Sequence, residues 1–213
     1  MGLPRIASYP MPGTLPANRV TWTADPSRAV LLIHDMQNYF VDAFAPAASP
    51  IPELLANIIA LRTRCASLGI PVVYSAQPGA QSAEQRGLLQ DFWGAGIPAD
   101  PRAAEIIAPL RPAASDIRLT KWRYSAFQRT SLDDVLAALQ RDQLIITGVY
   151  AHIGCLMTAC EAFMRDIEAF FVADGTADFS ADHHASALTY AAERCAVTLS
   201  TGDLLSMLTH RPS

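Results

Sequence analysis

Four residues stand where apolar runs give out, and their types suit acid–base chemistry on a small molecule. Asp35 follows AVLLIH, Gln77 follows IPVVYSA, Lys121 ends DIRLT, and Tyr150 ends QLIITGV. A carboxylate can give or take a proton, and an amine can pair with it or steady an anion. An amide and a phenol can orient what lies between them. Each has a plainer alternative: Asp35 can cap a turn, and Lys121 can be a surface lysine. Together, at the ends of two apolar runs, these two read as a buried catalytic pair. Tyr150 leads into Ala151-His152-Ile153-Gly154-Cys155. Cys155 invites a rival reading, a thiol nucleophile at a helix start, where the helix dipole would lower its pKa. Its alternative is an inert buried thiol. His152 reads as structural.

The convergence of these residues depends on the elements that carry them. Short β-branched runs alternate with helical stretches from Ala29 onward, which predicts an α/β fold with three layers, helices covering both faces of a six-stranded parallel sheet. The strands are expected over 29–35, 70–76, 116–121, 143–150, 167–174 and 195–200. In such a sheet ligands bind beyond the carboxyl ends of the strands, where the four residues stand. Leu54, Leu55, Ile58, Leu61, Cys65 and Leu68 recur at helical spacing, with Gly69 as the stop. Ser131 and Asp134 resemble a capping box, and Ser180 can cap the helix that follows it. A last helix is expected near 203–209. Residues 77–115 are rich in proline and glycine and read as one long irregular loop, functional or a lid. Residues 1–28 form a proline-rich irregular arm, and 29–213 a single catalytic domain.

Composition narrows the function classes. The chain has 213 residues and a net charge of -4, which argues against a nucleic-acid partner. About half of the residues, 51%, are apolar, enough for a substantial core. No apolar run is long enough to span a membrane, and residues 1–20 lack a secretory pattern. Cys65, Cys155, Cys160 and Cys195 show no metal-binding spacing and read as reduced thiols of a cytoplasmic protein.

The segments LLIHDMQNYF, YSAQPG, EQRGLL, LTKWRYSAF, QLIITGVYAHIGC and FFVADGTADFS closely resemble the isochorismatases, relatives of cysteine hydrolases such as the nicotinamidases. The resemblance spans roughly residues 4–205. It implies hydrolysis of isochorismate to 2,3-dihydro-2,3-dihydroxybenzoate and pyruvate, as in siderophore pathways. The alternative is hydrolysis of 2-amino-2-deoxyisochorismate in a phenazine-type pathway.

It also implies Asp35 and Lys121 as the catalytic pair, with substrate contacts from Gln77, Arg86, Tyr150 and Gly154, and walls from Trp93 and Tyr124. The nucleophilic cysteine of the amidase relatives matches Gly154, not Cys155. Metal-binding relatives have Asp-x-His where this chain has Ser75 and Gln77, so no metal and no cofactor are expected. The resemblance further implies a cis peptide between Val149 and Tyr150 and a homo-oligomer, expected as a dimer, with the arm a candidate to cross to a neighbour. No aryl carrier domain is expected after the last helix.

The implied reaction begins with Asp35 protonating the terminal carbon of the vinyl ether. Burial and an anionic substrate would raise its pKa while Lys121 would lower it, and the sequence leaves that balance open.

Overall fold

The computed structural model describes residues 2–209. Six strands form one sheet: β1 (Ala29–His34), β2 (Val72–Ala76), β3 (Ile117–Thr120), β4 (Gln143–Val149), β5 (Glu168–Ala177) and β6 (Ala196–Leu199). Their order is β3-β2-β1-β4-β5-β6, and every neighbouring pair is parallel. The expected strands are all present, with ends shifted by a residue or two and β5 running three residues further, to Ala177. The chain leaves β1 toward β2 on one side and returns through β4 on the other. That reversal opens a crevice at the carboxyl ends of β1 and β4.

The helices follow from the apolar spacing between strands. They are α1 (Asn38–Val41), α2 (Ile51–Leu68), α3 (Ala83–Arg86), α4 (Leu89–Trp93), α5 (Pro101–Ala104), α6 (Leu132–Leu139), α7 (Leu156–Phe163), α8 (Ala181–Arg194) and α9 (Thr201–Met207). In α2, Leu54, Ile58, Leu61 and Cys65 are buried along one stripe, and Gly69 ends the helix in the left-handed conformation. The core on this face includes Leu31, Ile33, Tyr74 and Phe170 from the strands and Leu204 from α9. The opposite face packs Leu32, Val73, Ile146 and Phe171 against Leu136, Ala159 and Leu188 of α6, α7 and α8.

Two sequence expectations need correction here. Residues 77–115 are not one irregular loop: α3, α4, α5 and a 3-10 turn at Ala108–Leu110 lie within them. Each is too short for a hydrophobic period to show. The Ser131 capping box does not form either, since the Ser131 side chain makes no cap hydrogen bond. Thr130 Oγ1 instead accepts from the Leu132 amide at 3.1 Å. Ser180 does cap α8, accepting from the His183 amide at 3.2 Å.

The described residues before β1 contain no helix or regular strand, and they lie along the chain's own domain. Ile6 is buried and bridges to Phe44, Tyr9 is buried, and Asn18 pairs twice with the Thr198 backbone, at 2.8 and 2.7 Å. Among the described residues no helix is long and apolar enough to cross a membrane.

Candidate active site

Each strand end delivers one group to the crevice. Asp35 leaves β1 with φ of 50°, a left-handed conformation that aspartate tolerates better than most residues. Its amide is held by the Ser75 carbonyl at 3.1 Å. Its carboxylate is buried and contacted from three directions. Oδ1 accepts from Ser75 Oγ at 2.7 Å, and Oδ2 lies 3.0 Å from both Gln77 Nε2 and Lys121 Nζ. Gln37 fixes Gln77 by accepting from its amide and donating to its carbonyl, each at 2.8 Å.

Lys121, just past β3, is almost wholly buried. Besides Asp35 it donates to the carbonyls of Arg123 at 2.5 Å and Tyr124 at 3.3 Å. An ammonium has three protons, and these partners engage all of them. Lys121 therefore acts on its surroundings through its charge and through Asp35.

The electrostatic balance left open by the sequence is resolved in the free protein. Burial is the largest single influence and pushes the Asp35 carboxyl upward, but Lys121, His34, Gln77 and Ser75 together outweigh it. The result lies below the usual carboxylate range, so free Asp35 is a carboxylate at neutral pH. His34 is fully buried, and burial pushes its pKa down to about 4, leaving the ring neutral. Its Nδ1 lies 3.0 Å from the Val149 carbonyl and so carries the ring proton.

The crevice opens into a cleft of about 580 Å³, counting the open space at its mouth. All eight residues singled out from the sequence, Asp35, Gln77, Arg86, Trp93, Lys121, Tyr124, Tyr150 and Gly154, line it. Arg86 is buried, donates Nε to the Gly94 carbonyl at 3.1 Å, and forms no ion pair among the described residues. Trp93 Nε1 donates to the Tyr124 hydroxyl at 2.7 Å, which joins α4 to the loop after β3. Tyr150 presents its ring, because its hydroxyl donates to the Phe40 carbonyl at 2.8 Å. The peptide between Val149 and Tyr150 is cis.

Gly154 has a steric reason to be glycine. A Cβ there would lie 2.2 Å from His34 Cε1. Cys155 is fully buried in the core beneath α7, away from the cleft. Burial pushes its thiol well above the ordinary value, with the Asp35 and Asp178 carboxylates adding to the rise. Of the two readings of Cys155, the inert buried thiol is the one that fits, because desolvation of the thiolate dominates any helix dipole. His152 lies outside the lining, with Nδ1 2.5 Å from the buried Asp178.

The sequence reading missed several members. Leu3, Tyr39, Ile97 and Arg123 also line the cleft, and Ser75 and Gln37 support Asp35 and Gln77. Gln37 and Arg123 lie two residues past Asp35 and Lys121, a local signal that was present. Leu3 carries no such signal, since only the path of the arm brings it in.

Comparison with known proteins shows the family. A family model, Isochorismatase domain, matches residues 29–203. The isochorismatase of Bacillus subtilis (strain 168) is 58% identical over 215 residues, covering 100% of this chain and 69% of that protein. Enterobactin synthase component B of Escherichia coli (strain K12) is 48% identical over 207 residues, 96% of this chain and 73% of that one. The phenazine biosynthesis protein PhzD1 of Pseudomonas aeruginosa is 47% identical over 211 residues, 96% of this chain and 99% of that one. Among solved structures, a cysteine hydrolase from Pseudomonas syringae pv. phaseolicola 1448A shares the fold. Its TM-score is 0.82 at 21% identity, over 91% of this chain and 97% of that one. On the domain match and these identities, the chain belongs to the isochorismatase family.

Proposed function

We propose that the chain is an isochorismatase, a hydrolase that converts isochorismate to 2,3-dihydro-2,3-dihydroxybenzoate and pyruvate. The reading is carried by one observation: a buried carboxylate, Asp35, faces a cleft that offers guanidinium charge and, among the described residues, no thiol. Residue 154 is glycine, and the Cys155 thiol is buried away from the cleft. A vinyl ether needs only an acid and a water, whereas an amide cleaved through a covalent intermediate needs a nucleophile.

In this mechanism the substrate's negative charge offsets the influence of Lys121 and lets Asp35 take up a proton. Asp35 delivers that proton to the terminal methylene carbon, and positive charge develops at the ether-bearing carbon. Water adds there and returns its proton to Asp35. The hemiketal then collapses, breaking the bond to the ring oxygen and releasing pyruvate and the ring alcohol. Gln77 and Lys121 hold Asp35 within reach of carbon, and Arg86 anchors a substrate carboxylate. The rings of Tyr150, Trp93 and Tyr124 form the walls.

Similarity to enterobactin synthase component B supports a place in siderophore biosynthesis. A second reading, hydrolysis of 2-amino-2-deoxyisochorismate, is favoured by the match to PhzD1 across 99% of that protein. Metal independence, a cytoplasmic location and a dimer complete the proposal. The location is supported by four free cysteines and the dimer by family resemblance. The deciding experiment is pyruvate release from each substrate, followed with lactate dehydrogenase. Efficient turnover of isochorismate supports the main reading. A kcat/KM at least tenfold higher on the 2-amino compound would transfer it to the second, and no release from either would overturn both.

A further inference from the structure

Arg123 borders the cleft beside Arg86, and the two side chains are built alike. The Arg86 guanidinium lies on the backbone of Gly96, where a Cβ would come within 2.8 Å of its Cζ. The Arg123 guanidinium lies on Gly87, the residue after Arg86, where a Cβ would come within 2.9 Å of its Nη2. Arg123 Nη1 is held by the carbonyls of Gln85 at 2.8 Å and Trp122 at 2.7 Å. The Arg123 carbonyl in turn accepts from Lys121. This side chain is fixed from both ends rather than free in solvent.

Burial, and to a lesser degree the Arg123 charge, keeps Arg86 below its ordinary value. Among the described residues no carboxylate forms an ion pair with either guanidinium. Asp35 and Lys121 cancel each other, so the cleft walls present two uncompensated positive charges. A ligand with one carboxylate would leave one of them unanswered, and a ligand with two would satisfy both.

We propose that Arg123 is a second anion-binding residue, so that the Arg86–Arg123 pair selects dicarboxylates over monocarboxylates. The assignment of substrate within that class rests on the function proposed above, but the selectivity itself does not. Arg86 takes one carboxylate deep in the cleft and Arg123 takes the other at its mouth.

The test compares isophthalate with benzoate as ligands, by calorimetric titration or quenching of tryptophan fluorescence. Wild-type protein is expected to bind isophthalate at least tenfold more tightly. Arg123→Gln is expected to reduce that preference to less than threefold by weakening isophthalate alone, and Arg123→Lys to keep most of it. Unchanged circular dichroism and melting temperature exclude misfolding of the variants. An absent preference in the wild type, an intact one in Arg123→Gln, or equal weakening of both ligands would overturn the proposal. Failure to release pyruvate from either isochorismate or its 2-amino analogue would overturn the enzyme reading alone. With activity present, Arg123→Gln should act mainly on KM, raising it tenfold or more.

Discussion

Asp35 is a carboxylate in the free protein and an acid in the proposed reaction, and that difference is measurable. Its carboxyl sits below the ordinary range, so the protonated free form becomes scarcer as pH rises. Hence kcat/KM should fall about tenfold per pH unit through the neutral range. A bound dianion raises the Asp35 pKa, so kcat should hold to higher pH before it falls. Coincident limbs in the two profiles would show that substrate does not shift the proton. Asp35→Asn keeps the shape but cannot donate the proton, and should lower kcat by about 10²–10⁴-fold while leaving substrate affinity intact. A raised KM at normal kcat would make Asp35 a positioning group instead. Gly154 gives a steric prediction. Gly154→Ala would place its methyl 2.2 Å from His34 Cε1 and should cost about 1–3 kcal/mol in denaturant unfolding. His34→Ala opens that space, so the double variant should lose less than the sum of the singles. Additive losses would mean that the two residues do not compete for the space.

At the level of elements, the arm before β1 belongs to the structure of the site. Tyr9 is buried, and its hydroxyl accepts from the Asp178 amide at 2.6 Å and lies 3.3 Å from His184 Nδ1. Asp178 in turn takes the His152 amide at 2.6 Å, two residues before Gly154 joins the cleft wall. Tyr9→Phe removes the acceptor and leaves a buried amide unpaired, which should destabilise the protein by about 1–3 kcal/mol. Thermal unfolding checks this, and an unchanged melting temperature would show that water replaces the hydroxyl. The arm lies along its own domain, with Leu3 at the cleft. Proline-rich sequence shows that a segment is irregular but not where it docks, because docking depends on surfaces supplied by distant strands.

At the scale of the molecule, the two strand-end side chains at the positions where metal-binding relatives carry ligands are committed to Asp35. Ser75 Oγ and Gln77 Nε2 both donate hydrogen bonds to Asp35, and neither offers an imidazole or carboxylate. Turnover should therefore survive a chelator, with pyruvate release measured before and after dialysis against EDTA. Loss restored by a divalent ion would refute this. By itself, the sequence determined the layered parallel sheet, the residues at the strand ends and the absence of a side chain at 154. Those features are local, since apolar period, strand length and residue type are written in consecutive positions. Only the tertiary structure decided how the groups are used. It spent all three Lys121 protons, buried the Cys155 thiol, turned the Tyr150 hydroxyl toward Phe40, and set Arg123 beside Arg86. Each outcome depends on partners far away in the chain or on the direction of a side chain. Burial and charge, which fix proton affinity, exist only once strands from distant segments lie side by side.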